Sequence, residues 1–216
     1  QEHPVDIVTT YMGAHAVPKG YTEAVYIDYM LKEVMPTVRK ENLAEFCDIF
    51  CEKGVFSTEE SRRFLVAAKE MGFKLKMHAD EIVNTAGAQL AAEVGAVSAD
   101  HLLQISDEGI EALANSDTVA TLLPNTAFTL KEDFAPGRKM IDAGCAVALA
   151  TDLNPGSSFT SSIPLTFALA CIYMKLSPEE AVTALTINAA AALGKADTIG
   201  SIEVGKRGDI VILEFP

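Results

Sequence analysis

The sequence predicts an α/β protein built on a parallel sheet. Two observations carry this expectation. Apolar, β-branched runs recur along the chain, each followed by a segment of helix length. Most of these runs are apolar on both faces, as parallel strands covered on both sides are. The runs are Asp6 to Ala14, Ala44 to Glu52, Lys74 to His78, Ala96 to His101, Val119 to Asn125 and Ala146 to Asp152. The third is the exception, because Lys74 and Lys76 alternate with Leu75 and Met77.

The intervening segments read as helices. Tyr21 to Arg39 places Val25, Tyr26, Tyr29, Met30 and Val34 on one helical face. Ser57 with Glu60 is a capping-box pattern before "RRFLVAAKEMG", and Gly72 closes that helix. Ser177, Pro178 and Glu180 repeat the pattern, and Gly194 ends the segment they open. The most apolar stretch, Ile163 to Met174, is too short to span a bilayer and contains Pro164 and Thr166, so it reads as a buried helix. The closing "SIEVGKRGDIVILEFP", with turns at Gly205 and Gly208, reads as a short antiparallel appendage. Six βα units satisfy a doubly wound sheet, whereas a closed barrel needs eight units and about 250 residues. The spacing alone leaves both open.

The chain has 216 residues, of which 49% are hydrophobic and 22% charged, so it can bury a substantial core. Its formal net charge is −13. Such a chain is expected to be soluble and to repel nucleic acid and anionic membranes. Four cysteines occur without a CxxC pair. Cys47 and Cys51 would share one strand face, roughly 13 Å apart, too far to bond each other. Scattered thiols of this kind suggest a reducing cytoplasm. No signal-peptide pattern is read at the start, and no initiator Met, so the chain is expected to be a fragment.

Chemistry-bearing residues collect at one edge. His15, His78 and His101 fall at the C-terminal ends of predicted strands, and Asn125 and Asp152 end two more. Parallel α/β folds gather their chemistry at that edge. Each residue has a plainer reading. His78 could be a satisfied structural histidine, Asp152 a helix cap, Glu81 a solvated first-turn residue and His101 a buried hydrogen-bonding group. Five such residues in one register point instead to an active site, and His with Asp resembles a metal site. Glu52 also ends a strand and could reach the site, but is left out of the set. His3 lies outside the pattern and is read as structural; Cys47 and Cys51 are read as strand core. Backbone N–H groups near Asn154, Gly156 and Ser157 could bind an anionic group. A plain loop explains them equally well.

"GAHAVP", "KMHADE", "SADHL", "LLPNTAF" and "ATDLNPGSS" together resemble the metal-dependent amidohydrolase superfamily and, within it, the imidazolonepropionase family of histidine degradation. The resemblance implies a TIM-like (β/α)8 barrel flanked by a small β-sandwich. Residues 1–195 would be the last six βα units, and 196–216 the strands returning to the sandwich. It implies hydrolysis of the ring amide of 4-imidazolone-5-propanoate to N-formimidoyl-L-glutamate. It also implies one divalent ion, Zn or Fe, and a cytoplasmic homodimer acting on a small molecule. Carried onto matching positions, His78 and Asp152 would be metal ligands, and Asp152 would also accept a proton from water. Glu81 would handle protons, from the first turn of the helix after its strand, and touch substrate. His101, cationic or hydrogen-bonding, would contact the reacting oxygen or the ring, and His15 the substrate. Asn154, Gly156 and Ser157 would hold the propanoate end. The HxH ligand pair of that family's first strand occurs nowhere here. The isolated chain is therefore expected to be inactive and to expose apolar edges. Rival readings are a deaminase of the same superfamily acting on a cytosine- or guanine-like ring, and a non-catalytic barrel module. A binuclear site is disfavoured because "AEFCDIFCE" offers no Lys before Lys53, and nucleotide binding because neither GxGxxG nor a Walker sequence is present.

Overall fold

The structure, a computed structural model, describes residues 5–212 and residue 214; His3 lies outside them. Six strands form one sheet: β1 (Thr10–Ala14), β2 (Phe46–Cys51), β3 (Lys74–Ala79), β4 (Ser98–His101), β5 (Val119–Leu122) and β6 (Val147–Leu149). All neighbours are parallel and follow chain order. The connections are α1 (Glu23–Tyr29), a π turn (Met30–Val34), α2 (Met35–Lys40), α3 (Thr58–Glu70), α4 (Gly87–Val94), α5 (Asp107–Ala114), α6 (Pro124–Leu130) and α7 (Gly137–Asp142). Helices α8 (Ile163–Ile172), α9 (Pro178–Leu185) and α10 (Ile187–Ala192) follow β6. Most strands are shorter than the predicted runs. β5 stops before Asn125 because Pro124 cannot donate to a ladder and instead opens α6.

The two faces of the sheet differ, and this decides between the two architectures. Side chains alternate along each strand. Cys47, Ile49, Leu75, Met77, Ala99, Ala120, Leu122, Val147 and Leu149 join one apolar cluster with Ile27, Met30, Phe64, Leu65, Leu90, Leu113 and Met140 of the helices. Burying a residue such as Phe64 or Leu65 contributes about 1.5–3 kcal/mol. The alternate positions Thr10, Met12, Asp48, Lys76, His78, Asp100, Thr121, Ala148 and Ala150 line a cavity of 340 Å³ on the other face. Strands at opposite edges of the sheet line that one cavity, so the sheet is curled. It is the arc of a (β/α)8-type barrel with its helices outside, not a doubly wound sheet. The expectation of strands covered by helices on both sides is corrected accordingly: the lysines of β3 mark the inner face.

Several helices differ from their sequence patterns for local reasons. The first is a single rod interrupted by a π turn, which sits just before Pro36. Proline has no N–H to donate back and clashes with the carbonyl four residues earlier. The extra residue in the turn rotates the buried stripe, which runs Ile27, Met30, Met35 and Val38, and leaves Val25 and Tyr29 exposed. Ser57 caps α3 through the Glu60 N–H (3.4 Å). The reciprocal bond is absent: the Ser57 N–H donates to Glu23 (2.8 Å), and Glu60 pairs with Arg63. Ser177 and Glu180 do form the full box on α9. The segment it opens breaks at Thr186, so α9 and α10 are separate. α8 buries Thr166, Leu169 and Ala170 but leaves Ile172 69% exposed, so it is covered on one side only.

No strand forms among the described residues of 196–216. Val204, Val211 and Ile212 are exposed, and no described strand lies beside them to satisfy a ladder. Among the described residues no helix is long and apolar enough to cross a membrane. The four cysteines are free.

The seat of α4 against β3 is tight. A Cβ at Gly87 would meet Ala79 Cβ at 2.9 Å and Ala79 Cα at 3.2 Å. Alanine normally gains up to about 1 kcal/mol over glycine in a helix, whereas overpacking costs about 1–3 kcal/mol. With β3 held between β2 and β4, the second effect wins. Gly87→Ala is expected to lower the urea midpoint of unfolding, and an unchanged midpoint contradicts this packing.

Candidate active site

The parallel register sets the inner face in rows. Phe50, His78, Asp100, Thr121 and Ala148 are aligned partners across β2 to β6. Asp48 and Lys76 pair one inner position nearer the strand starts. His15 follows β1 directly and reaches the same region. Asp48 is 2% exposed. Its Oδ2 lies 3.0 Å from His15 Nε2 and 2.8 Å from His78 Nδ1. The second contact is at ion-pair distance, but its angle leaves His78 Nδ1 without a hydrogen bond. The His15 and His78 rings meet edge-on at 4.3 Å, and the His78 and His101 rings lie 4.9 Å apart.

These contacts set the charges. Burial would raise the Asp48 carboxyl, but the His78 charge and the His15 hydrogen bond outweigh it and hold Asp48 well below the usual carboxylate range. Burial works against the His78 imidazolium too. Asp48 above all, with Asp100 and Glu81, overcomes it and lifts the pKa to about 9. His101 goes the other way: burial, then the charge on His78, pushes it down to about 3. His101 is therefore a neutral imidazole at neutral pH, not a cation. Glu81 is raised by burial and by the charges of Asp152 and Glu52, against the pull of His78.

Two carboxylates follow His78 because they do different work. Asp80 is fully buried and turns away from the cavity. It accepts from the N–H groups of Thr85 (2.8 Å), Gly87 (3.1 Å) and Ala88 (3.0 Å), anchoring the start of α4. Glu81 does not sit in a helical first turn, as the sequence suggested. It lies in a bend six residues before α4, where its Oε1 is 3.5 Å from His101 Nδ1. Glu52 does not line the cavity; it accepts from the backbone of the Glu81 loop. Several of these strand exits carry backbone strain. Asp80, His101, Leu102 and Asp152 all have positive φ, between 49° and 77°. A non-glycine residue there costs about 1–3 kcal/mol and persists only where its surroundings enforce it.

Asp152 lines the same cavity as His78. It caps no helix; its Oδ2 accepts from the Thr126 hydroxyl at 2.6 Å. Asn125 is buried in the first turn of α6, where its Oδ1 accepts from Thr166 (3.2 Å), and its Nδ2 is unpartnered. Asn154, Gly156 and Ser157, expected to hold the propanoate, form one loop after Asp152. Asn154 Oδ1 already accepts from the N–H groups of Gly156 and Ser157, both at 2.8 Å. Those donors are used in closing an Asx turn.

The residues fit a divalent ion. Ligand atoms of His15, Asp48 and His78 lie within 4.8 Å of one another. Asp48 Oδ1, His78 Nδ1 and His101 Nδ1 are buried without hydrogen-bond partners. Imidazole with carboxylate suits Zn²⁺ and Fe²⁺ alike. Asp152 faces the cavity but is not among the three residues so clustered. Sequence reasoning missed Asp48 because "FCDIFC" reads as a buried strand. The signal was there: a lone carboxylate in such a run must find a partner or shift its pKa.

Residues 22–215 match the amidohydrolase family, and the chain belongs to it. Within that family it is 68% identical over 211 residues to an imidazolonepropionase of Bacteroides thetaiotaomicron, covering 97% of this chain and 51% of the relative. It is 62% identical over 218 residues to an imidazolonepropionase of Clostridium tetani, covering 100% of this chain and 52% of the relative. The chain thus spans about half the length of the curated relatives it matches. Among solved structures, an adenosine deaminase from Xanthomonas campestris with bound zinc superposes with a TM-score of 0.71 at 22% identity, over 91% of this chain and 50% of its own. A guanine deaminase from C. acetobutylicum gives 0.69 at 16% identity, over 91% and 53%. At these identities the shared property is the fold.

Asp48→Asn tests the electrostatics. In the metal-free protein it removes the main charge holding His78 near 9 and leaves burial, which acts downward. The His78 midpoint is expected to fall below 9, toward or past the ordinary imidazole value of 6.5, in an NMR titration of its ring protons. The ion pair's stabilisation is full below that unfolded value and fades as pH rises through about 9. An unmoved midpoint contradicts the pairing.

Proposed function

We propose that these residues form the catalytic barrel of an imidazolonepropionase, which hydrolyses the ring amide of 4-imidazolone-5-propanoate to N-formimidoyl-L-glutamate. The observation that carries the reading is the gathering of His15, His78, Glu81, His101 and Asp152 around one strand-end rim. The identity of 62% and 68% to the relatives named above supports the choice of substrate.

One divalent ion, Zn or Fe, would be held by His78 and Asp152, with the Asp48 carboxylate 2.8 Å from His78 Nδ1. When bound, such an ion lowers the pKa of water from 15.7 to about 7 and polarises a carbonyl. The chain's own groups do the rest. Asp152, oriented by the Thr126 hydroxyl, accepts the proton of the attacking water. Neutral His101 offers a hydrogen bond to the oxygen on which negative charge develops. Glu81, kept protonated more readily by its burial, delivers a proton to the ring nitrogen as the C–N bond breaks. His15 contacts the ring. A propanoate carboxylate at the 154–157 loop would replace Asn154 Oδ1 as acceptor for the Gly156 and Ser157 N–H groups, exchanging one oxygen for another. A homodimer in the cytoplasm remains part of the proposal.

Turnover of 4-imidazolone-5-propanoate, cytosine and guanine by the natural-length polypeptide separates the readings. Hydrolysis of the imidazolone is expected, with Glu81→Gln lowering kcat about 10²–10⁴-fold at unchanged metal content. Turnover of guanine or cytosine in its place would make the protein a deaminase, and no turnover of any of the three would sink the reading. Residues 1–216 alone, without an HxH segment, are expected to be inactive.

A further inference from the structure

Glu52 directly follows β2 and is 1% exposed. Its backbone is held rigidly: its N–H donates to Phe56 O (3.1 Å) and its carbonyl accepts from Val55 N (3.0 Å). The tight turn between them passes through Gly54 at φ +83°. From this fixed base the side chain reaches across to the exit of β3, whose Ala79 pairs with Cys51. Its Oε1 accepts from Lys53 N (2.7 Å), and its Oε2 accepts from Ile82 N (2.9 Å) and Val83 N (3.3 Å). Backbone donors to a carboxylate make charge-assisted bonds, roughly twice as strong as neutral ones.

Among the described residues the Ile82 and Val83 N–H groups have no other hydrogen-bond partner. Ile82 is 64% exposed, so its side chain supplies no burial to pin the bend. Asp80 grips the other flank through the N–H groups of Thr85, Gly87 and Ala88. Glu81 lies between the two fastenings, with no regular secondary structure of its own.

We propose that Glu52 is a positioning residue that clamps the Ile82–Val83 backbone and thereby holds Glu81 beside His101. The proposal rests on the catalytic role proposed for Glu81, but the clamp itself is a separate physical claim. A displacement of about 1 Å at a reacting group can cost about 10²-fold in rate, so a loop held only by solvent contacts would not serve. Glutamine at this position keeps the shape but turns one acceptor oxygen into a donor facing other donors. Aspartate keeps the charge and shortens the reach by one methylene.

Two readouts on the natural-length polypeptide test this. Amide hydrogen exchange at Ile82 and Val83 is expected to quicken at least tenfold in Glu52→Gln, with the core strands unaffected. Turnover of the imidazolone is expected to fall about 10²-fold in kcat with metal content unchanged. The double variant Glu52→Gln/Glu81→Gln is expected to be no slower than Glu81→Gln alone, because both act through one group. Multiplying losses, as a merely structural residue would give, overturn the proposal, as do amides that stay protected in Glu52→Gln. Glu52→Asp is the second variant, with the same direction expected, and decides the matter if Glu52→Gln does not fold. Absence of turnover in the unsubstituted protein would fail the functional reading, while the exchange measurement still decides the clamp.

Discussion

Parallel pairing in strict register, from Phe46 of β2 to Leu149 of β6, fixes which side chains face inward. A slip of one residue in any strand would send its inner set to the outer face. Asp48, Lys76, His78 and Asp100 would then press into the apolar layer packed on the helices, where an unpaired charge costs several kcal/mol. The apolar alternate positions thus enforce the polar ones. Met77 and Ala79, packed against α3 and α4, aim His78 inward as surely as any contact His78 makes itself.

On that frame the site is an electrostatic compromise. The chain carries a net charge of −13, yet the interior chamber holds His78, kept charged against burial by Asp48 above all, and His101, kept neutral by burial first and then by the charge on His78. At His78 nearby carboxylates outweigh burial, and at His101 burial and a nearby cation act together. The same chamber contains buried polar atoms with no partner, on Asp48, His78, His101 and Asp100. Such atoms are costly in a finished core and mark a place where polar chemistry is concentrated.

Carboxylates also serve as fasteners at the strand exits, which is a different use from catalysis. Asp80 and Glu52 each accept several backbone N–H groups, and together they secure a bend that apolar packing does not cover. The positive φ values at Asp80, His101, Leu102 and Asp152 lie at these exits. Strain of this kind needs an over-determined surrounding, and around Asp80 the hydrogen bonds supply it.

The sequence by itself determined the succession of strands and helices, the parallel class and the edge at which His15, His78, His101 and Asp152 gather. Apolar periodicity and capping residues are local signals, and these features are local. It also marked the inner face, in the lysines of β3, before anything indicated which face was inner. The tertiary structure decided what depends on distant partners. Asp48 belongs to the site because His15 and His78 arrive beside it from neighbouring strands. Glu52 serves a loop some thirty residues on, and the Asn154 side chain claims amide groups that looked free. The stripe of the first helix shifted because a π turn before Pro36 rotated it. Among the described residues the tail from 196 forms no strand, because a strand requires a neighbour, and no run of residues, however β-prone, supplies its own.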